Sequence, residues 1–331
     1  MSIGRFLAVA MPVLLVVSVL VGGVTRVALT RYDLDGPLMS PTNFVVPRGG
    51  PAQIGEALEA AGVIRDATEF RIAALVTRGD GPLHAGEFAF PPGAKLRDVL
   101  VILRTAHPAQ HRLTIPEGLT AAQIALLFQR AEAMEGDPPI PNEGGVLPNT
   151  YSYDRGTARA AVLARATAAM DKSLAEIWAG RAPRLPLASA AQLLTLASIV
   201  ERETSHANER PHVAAVYINR LRLGMRLQAD PTVAYAVSGG ADTNDRGLTR
   251  ADLERDNPYN TYRVTGLPPG PIDSPGIAAL QAVAHPAESD DLFFVADGTG
   301  GHVFARTNEE HDRNVARWRA LQRASAPPPS R

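Results

Sequence analysis

A carboxylate inside an apolar stretch is the feature of this sequence that most clearly suggests chemistry. Residues 193–205 read LLTLASIVERETS, so an almost wholly apolar run meets the triplet ERE at 201–203 without an intervening turn. Ser189, followed three residues later by Gln192, is typical of a capping box, and we therefore predict that a helix begins there. That helix would present the acidic residues at its C-terminal end.

Helical geometry separates the two glutamates of this triplet. At about 100° per residue, Glu201 lies about 40° from Ala197 and so falls within the apolar arc. Glu203 lies about 200° from Glu201, which argues against a pair of carboxylates flanking one bond. Burial raises the pKa of a carboxyl group, and a raised pKa suits a general acid. Arg202 points away, toward solvent or a structural partner.

The alternative is an ordinary helix end, where acidic and basic residues are common. In that case Glu201 would face bulk solvent or be held in a permanent ion pair, and either placement would remove the acid role. The sequence of the helix alone does not decide between these interpretations.

Composition excludes several classes of protein and site. The chain has 331 residues, of which 45% are hydrophobic and 20% charged, and its net charge is −1. This balance does not indicate a nucleic-acid surface, and we predict no nucleic-acid partner. The absence of cysteine excludes disulfides and thiolate metal sites. The histidines are scattered and none forms an H-E-x-x-H motif, so we predict no metal and no cofactor.

The N-terminus carries a candidate membrane anchor. Residues 6–24 form an uncharged apolar run, whose length as a helix approaches the ~30 Å hydrocarbon core of a bilayer. A cleaved signal peptide is the alternative, but no convincing A-x-A cleavage site is present. We predict a cytoplasmic tail at 1–5, a single transmembrane anchor at 6–24 and a linker at 25–42, with the remaining chain outside the cytoplasmic membrane.

A strand, a Pro-x-Gly turn and an amphipathic helix recur three times. The turns contain Pro47/Gly49, Pro91/Gly93 and Pro116/Gly118, each after apolar β-formers. A Pro- and Gly-rich break follows at 136–145 and is a candidate hinge. Later segments predict further helices and one hairpin, so the fold class is mixed α+β. The predicted domains are a strand–turn–helix module at 43–130, a hinge or connector at 131–150, a catalytic domain at 151–322 and a disordered tail at 323–331.

Four motifs in the C-terminal half resemble one known family. ASIVERE, NRLRLGMRLQADPT, YNTYRVTGLPPG and FVADGTGGHVF stand at 197–203, 219–232, 259–270 and 294–304. Together they resemble the YceG-like family of endolytic murein transglycosylases, and the resemblance covers nearly all of 190–321. A weaker match lies at 143–150, where Asn149 replaces the more usual Asp. The preceding strand–turn–helix units are similar to the LysM-like module of that family.

The resemblance implies a reaction in which one carboxyl group works twice. The family's catalytic glutamate corresponds to Glu201. This residue would act first as a general acid and then as a general base. Members cleave the β-1,4 bond between N-acetylmuramic acid and N-acetylglucosamine within a glycan strand. The muramoyl C6 hydroxyl attacks its own anomeric carbon, which leaves a 1,6-anhydro end and makes the enzyme a lyase.

Polar residues of the matching motifs are candidates for contact with the sugar. We expect substrate binding by Gln228, Asp230, Thr232, Asn260, Thr261 and Tyr262, although Asp and Thr beside Pro231 are also ordinary turn residues. We assign supporting roles to Glu203, Asn219, Tyr259 and His302. For His302, a hydrogen bond within the cleft is a better interpretation than metal ligation.

The resemblance also implies partners and a location. The substrate would be peptidoglycan glycan strands, with peptidoglycan synthases as partner proteins. The chain would lie in the inner membrane by its single anchor, with its catalytic domain on the periplasmic side, and would terminate nascent strands. Two alternatives are a muramidase that uses water and a non-catalytic, membrane-tethered glycan-binding scaffold.

Overall fold

The computed structural model describes Arg26, residues 30–241 and residues 247–325. The predicted anchor at 6–24 and the cytoplasmic tail lie outside these residues, as does the end of the chain beyond 325. Within the described part, no helix combines the length and apolar character needed to cross a bilayer. The chain divides into two compact units, Met1–His111 and Arg112–Arg331.

The first unit contains two of the predicted strand–turn–helix repeats. Its elements are β1 (Thr42–Val46), α1 (Pro51–Ala60), α2 (Ala67–Val76), a 3₁₀ turn (Arg78–Asp80), β2 (Gly86–Phe90) and α3 (Leu96–Thr105). β1 and β2 pair antiparallel, with Phe44 opposite Phe88. Phe88, Phe90 and Leu100 are almost wholly buried in this unit's own core.

The second unit begins with the third repeat. β3 (Gln110–Thr114), on which the division between the units falls, precedes α4 (Ala121–Arg130), β4 (Met134–Glu135), β5 (Thr150–Asp154) and β6 (Thr157–Ala158). β3 pairs with β5 and β4 with β6. Gly118, in the turn of this repeat, has φ +75°, a conformation that only glycine adopts without strain.

A series of helices follows β6 in the second unit. They are α5 (Arg159–Gly180), α6 (Ala190–Glu203), α7 (Arg210–Arg222), α8 (Asp230–Ser238), α9 (Arg250–Glu254) and α10 (Ile277–Ala284). α6 packs against both α7 and α10. The three helices share one apolar core that includes Leu196, Ile199, Val213 and Leu280.

The chain then forms the predicted hairpin and a last helix. β7 (Phe293–Ala296) pairs antiparallel with β8 (His302–Ala305), and Phe294 lies opposite Phe304. α11 (Asn308–Ser325) follows. This helix extends three residues into the segment at 323–331 that the sequence predicted as a disordered tail.

The mixed α+β class is confirmed, but the division of the chain differs from the sequence prediction. The third repeat belongs to the second unit, whereas the sequence grouped it with the first two in a module at 43–130. The chain also does not divide at 136–145. Glu143 accepts a hydrogen bond from the backbone N–H of Ala121 and one from the Tyr235 hydroxyl, which ties this segment to α4 and α8.

Candidate active site

Helix α6 has the bounds that its sequence predicts. The Ser189 hydroxyl accepts a hydrogen bond from the N–H of Gln192 at 3.3 Å and caps the helix. The reciprocal bond of the predicted capping box is displaced by one residue, since Gln192 accepts from the N–H of Ala188. The helix buries Leu193, Leu196 and Val200 and carries the glutamates in its last turn.

The Glu201 side chain lies inside the second unit, with only 5% of its surface exposed. Its Oε2 accepts a hydrogen bond from the backbone N–H of Gly276 at 2.9 Å. Its Oε1 accepts one from Nη2 of Arg210 at 3.1 Å. Gly276 is the N-cap of α10 and Arg210 is the first residue of α7, so the ends of three helices meet at this carboxyl group.

The neighbourhood of Glu201 is apolar along the helix, as its place in the apolar arc predicts, but it also contains a charged partner. Apolar residues do surround the helix, but Arg210 forms an ion pair with the carboxylate itself. The pair is not exclusive, because the same Nη2 lies 3.8 Å from Oε2 of Glu117. The Arg210 charge favours the carboxylate form of Glu201 and so opposes a role as an acid.

Burial still dominates the acidity of Glu201. Desolvation raises its pKa above the ordinary value, and the nearby Glu117 carboxylate raises it further. The Gly276 hydrogen bond and the Arg210 charge act in the opposite direction, and the pKa remains raised. The group is therefore more readily protonated near neutral pH than an exposed glutamate.

Glu203 faces different partners, as the helical geometry predicts. Its Oε1 accepts a hydrogen bond from the hydroxyl of Tyr217 on α7. Burial raises the pKa of Glu203 to about 7, and the Asp230 carboxylate adds to the rise. The Tyr217 hydrogen bond and the Arg220 charge oppose it. The two glutamates are thus two separate sites, each with a raised pKa.

The turn of the third repeat contributes to the Glu201 site. The N–H of Gly118 donates to the Ser274 carbonyl, and the N–H of Ser274 donates to the Leu119 carbonyl. Arg202 donates to the Gly118 carbonyl at 3.0 Å, so it has a structural partner, one of the two predicted outcomes. These bonds hold Glu117 beside α6.

Asp273 is the second acidic group beside Glu201. Its side chain is fully buried, and neither carboxyl oxygen has a hydrogen-bond partner among the described residues. Burial raises the pKa of Asp273 well above its ordinary value. Burial without a partner therefore favours the neutral form of this group, because an unpaired buried carboxylate is very costly.

Two of the predicted substrate-binding residues lie at the surface near Glu203. Asp230 and Gln228 are both exposed, and Gln228 has φ +50°, a left-handed conformation that is uncommon outside glycine. Tyr262 donates its hydroxyl hydrogen to Asp230 at 2.6 Å. These three residues remain candidates for substrate contact.

The other three predicted contacts are inside the protein. Thr232, Asn260 and Thr261 have no exposed surface. The hydroxyls of Thr232 and Thr261 are 2.8 Å apart, and Asn260 donates to the carbonyls of Leu253 and Arg255. In this placement they brace the chain around α8 and α9, so their prediction as substrate contacts has no support in the structure.

The predicted supporting residues have clear partners. Asn219 donates to the carbonyls of Ser289 and Asp291 and so fixes the segment before β7. Nδ1 of His302 lies 2.8 Å from Oε2 of Glu209. The ring of Tyr259 lies 4.8 Å from that of Tyr235, centroid to centroid.

Sequence reasoning missed Arg210, Gly276, Asp273 and the role of Glu117. The Pro-Glu-Gly turn of the third repeat was the available indication for Glu117, but its likeness to the first two repeats pointed to a separate module. Across the described ranges, no group of three or more His, Asp or Glu residues is arranged to hold a metal ion.

Fold and site together define an α+β protein with one buried glutamate as its candidate acid. This glutamate forms an ion pair with an arginine. The chain belongs to the YceG-like family, whose model matches residues 44–317. The family prediction made from the motifs is therefore confirmed.

Named relatives are similar over large parts of the chain. The endolytic murein transglycosylase of Streptococcus pneumoniae serotype 2 is 31% identical over 341 residues, covering 86% of this chain and 61% of that protein. The Bacillus subtilis protein of the same name is 38% identical over 173 residues, covering 52% of this chain and 47% of that one. The chain thus spans about half to three fifths of the length of these relatives.

A solved structure has the same fold over most of the chain. The crystal structure of a YceG-like protein from Listeria monocytogenes is 28% identical and superimposes with a TM-score of 0.54. The match covers 83% of this chain and 98% of the Listeria chain.

Proposed function

We propose that this protein is an endolytic peptidoglycan transglycosylase in which Glu201 is both general acid and general base. The observation that carries the proposal is the placement of Glu201, which is 5% exposed, has a raised pKa and is held by Gly276 and Arg210. Membership of the YceG-like family and the names of the two relatives support the same activity.

The proposed reaction conserves every atom of the strand. Protonated Glu201 donates its proton to the glycosidic oxygen as the bond to C1 of N-acetylmuramic acid breaks. The C6 hydroxyl of that sugar attacks C1 and returns its proton to the Glu201 carboxylate. The products are one strand with a 1,6-anhydro end and one with a free hydroxyl at C4 of N-acetylglucosamine.

The two alternatives differ from this proposal in their products. A muramidase would place water at C1 and leave a reducing end, whereas a glycan-binding scaffold would leave the strand intact. Only the transglycosylase forms the anhydro ring. The raised pKa of Glu201 suits both enzymes, so product chemistry must decide between them.

The location and partners are proposed from sequence. The apolar run at 6–24 would anchor the chain in the inner membrane, with the two described units on the periplasmic side. There the enzyme would act on nascent glycan strands beside peptidoglycan synthases. We further propose that the first unit is LysM-like and orients the strand for cleavage.

Product analysis in labelled water tests the reaction. The chain from residue 32 onward is incubated with purified sacculi in water enriched in heavy oxygen, and the released fragments are weighed by mass spectrometry. We expect anhydro ends that carry no label. Labelled reducing ends would establish the muramidase instead.

Substitution of the two glutamates tests the assignment. Glu201→Gln keeps the shape of the side chain but cannot deliver a proton, so we expect product formation to fall by at least about 100-fold. Product formation should fall less in Glu203→Gln than in Glu201→Gln. Glu176→Gln, on an exposed face of α5, is the matched control. Turnover at the normal rate in Glu201→Gln would refute the acid–base role.

A further inference from the structure

Three charged side chains form a row from the surface to the interior of the second unit. The side chain of Glu117 is 47% exposed, that of Arg210 12% and that of Glu201 5%. Nη2 of Arg210 lies between the two carboxylates, 3.8 Å from Glu117 and 3.1 Å from Glu201. One cation therefore has two competing anionic partners, both within ion-pair distance.

The fold holds both carboxylates in place. Glu201 is fixed by the helix and by the N–H of Gly276. Glu117 packs against the same Gly276, because a Cβ built on that glycine would lie 1.8 Å from Oε1 of Glu117. Glycine at 276 thus leaves the space that the Glu117 side chain fills, while its N–H binds Glu201.

Arg210 has a further donor that is not engaged. Its Nε is buried and has no hydrogen-bond partner among the described residues. Both of its ion pairs with described residues are made by Nη2, so a small movement of this nitrogen changes which carboxylate is its closer partner. This geometry suits exchange between two partners better than a fixed bidentate pair would.

We propose that Arg210 is a positioning residue that passes between Glu201 and Glu117 as Glu201 gains and loses its proton. The proposal rests on the function proposed above. When Glu201 is protonated, Arg210 pairs with Glu117 and leaves the acid free to donate. When Glu201 has given up its proton, Arg210 returns and stabilises the carboxylate until the C6 hydroxyl supplies the proton back.

The other charged or titratable groups near Glu201 do not compete with Arg210 and Glu117 for this role. Arg202 is engaged with the Gly118 carbonyl, and Glu143 with Ala121 and Tyr235. Asp273 is buried, and burial raises its pKa and so favours its uncharged form. A movement of the Arg210 guanidinium therefore changes the electrostatic environment of two carboxylates, those of Glu201 and Glu117.

Two neutralising substitutions should move the pH dependence in opposite directions. An acid must be protonated to work, so kcat falls as pH rises through the pKa of Glu201. Glu117→Gln leaves Arg210 with Glu201 alone, which lowers that pKa and moves the fall in kcat to lower pH. Arg210→Gln removes the cation, which raises the pKa and moves the fall to higher pH.

The measurement is kcat against pH on purified glycan strands freed of stem peptides, with anhydro ends counted by mass spectrometry. Arg226→Gln and Glu176→Gln, both exposed, are the matched controls and should leave the profile unchanged. Arg210→Lys, which keeps the charge, should shift the profile less than Arg210→Gln. Circular dichroism verifies that each variant is folded.

Opposite shifts would support the exchange of Arg210. Shifts in the same direction, or a loss of kcat with an unchanged profile, would overturn it and leave Arg210 and Glu117 as purely structural residues. The proposed function is judged separately. If Glu201→Gln is inactive and the profiles do not shift, only this inference fails, whereas an active Glu201→Gln removes both.

Discussion

At the scale of single residues, the site combines carboxyl groups with very different surroundings. Glu201 has two hydrogen-bond donors, Glu203 has a tyrosine hydroxyl, and Asp273 has no partner within the described chain. In each case burial raises the pKa, and for Glu201 and Glu203 the hydrogen-bond donors oppose the rise. We propose the proton-transfer role for Glu201 because the resemblance of the ASIVERE motif assigns the family's catalytic glutamate to this position.

The unpaired Asp273 predicts a pH dependence of stability. Its pKa is raised in the folded chain above the ordinary 3.8, so the folded state binds the proton more tightly than the unfolded state. The contribution of Asp273 to the free energy of unfolding is fully present below the ordinary pKa. It is lost as the pH rises through the raised pKa that the group has in the folded chain. We expect Asp273→Asn, which never ionises, to have a larger free energy of unfolding than the natural chain at neutral pH.

Urea unfolding at several pH values checks this expectation. The advantage of Asp273→Asn should shrink as the pH falls and vanish below the ordinary pKa. Asp171→Asn, at an exposed position on α5, should show no such trend. A variant that is less stable than the natural chain at neutral pH would show that the carboxylate is needed.

At the scale of elements, helix α6 depends on local sequence at its start and on its neighbours at its end. Its Ser189 cap lies within the helix sequence, whereas the bonds at its last turn come from α7 and from the N-cap of α10. The Glu201 side chain is therefore held where three helix ends converge. Loss of a cap should weaken the helix without moving Glu201.

Ser189→Ala tests the contribution of the cap. Removing the hydroxyl leaves the N–H of Gln192 without its side-chain acceptor, which should cost about 1 kcal/mol of stability. Thermal unfolding gives the change, and product formation at low temperature should stay near normal. Ser189→Asp, which can still accept the bond, is the matched variant and should retain most of the stability. A strong loss of activity with no loss of stability would mean that the cap serves the site directly.

At the scale of the whole molecule, each compact unit has its own apolar core. Leu100 is fully buried in the core of the first unit, whereas its neighbour Val101 is 52% exposed. Both tryptophans, Trp178 and Trp318, lie in the second unit. Tryptophan fluorescence therefore reports the second unit, and far-ultraviolet circular dichroism reports both.

Leu100→Ala tests whether the two cores unfold separately. The lost contacts and the cavity should destabilise the first unit by about 2–5 kcal/mol. We expect the urea transition seen by circular dichroism to move or split, while the fluorescence transition stays unchanged. Val101→Ala should alter neither. A matching shift of the fluorescence transition would show that the units unfold together.

Local sequence determined the elements of this protein. Ser189 and the apolar period predicted α6 with the observed bounds, and the three strand–turn–helix repeats form because proline, glycine and periodic apolar residues act over a few residues. The family motifs are local in the same sense. The buried Thr232, Asn260 and Thr261 could not be told from substrate contacts, because burial depends on what packs against a residue.

The tertiary structure alone decided which charges meet. Gly276 and Glu201 are separated by 75 positions, and Arg202 and Gly118 by 84. No local period encodes such contacts, since they depend on how α6, α7, α10 and the third repeat pack. Packing placed Arg210 and Glu117 beside Glu201, and it also assigned the third repeat to the second unit. The sequence predicted the candidate acid, whereas the fold placed beside it the charged groups that we propose control its proton.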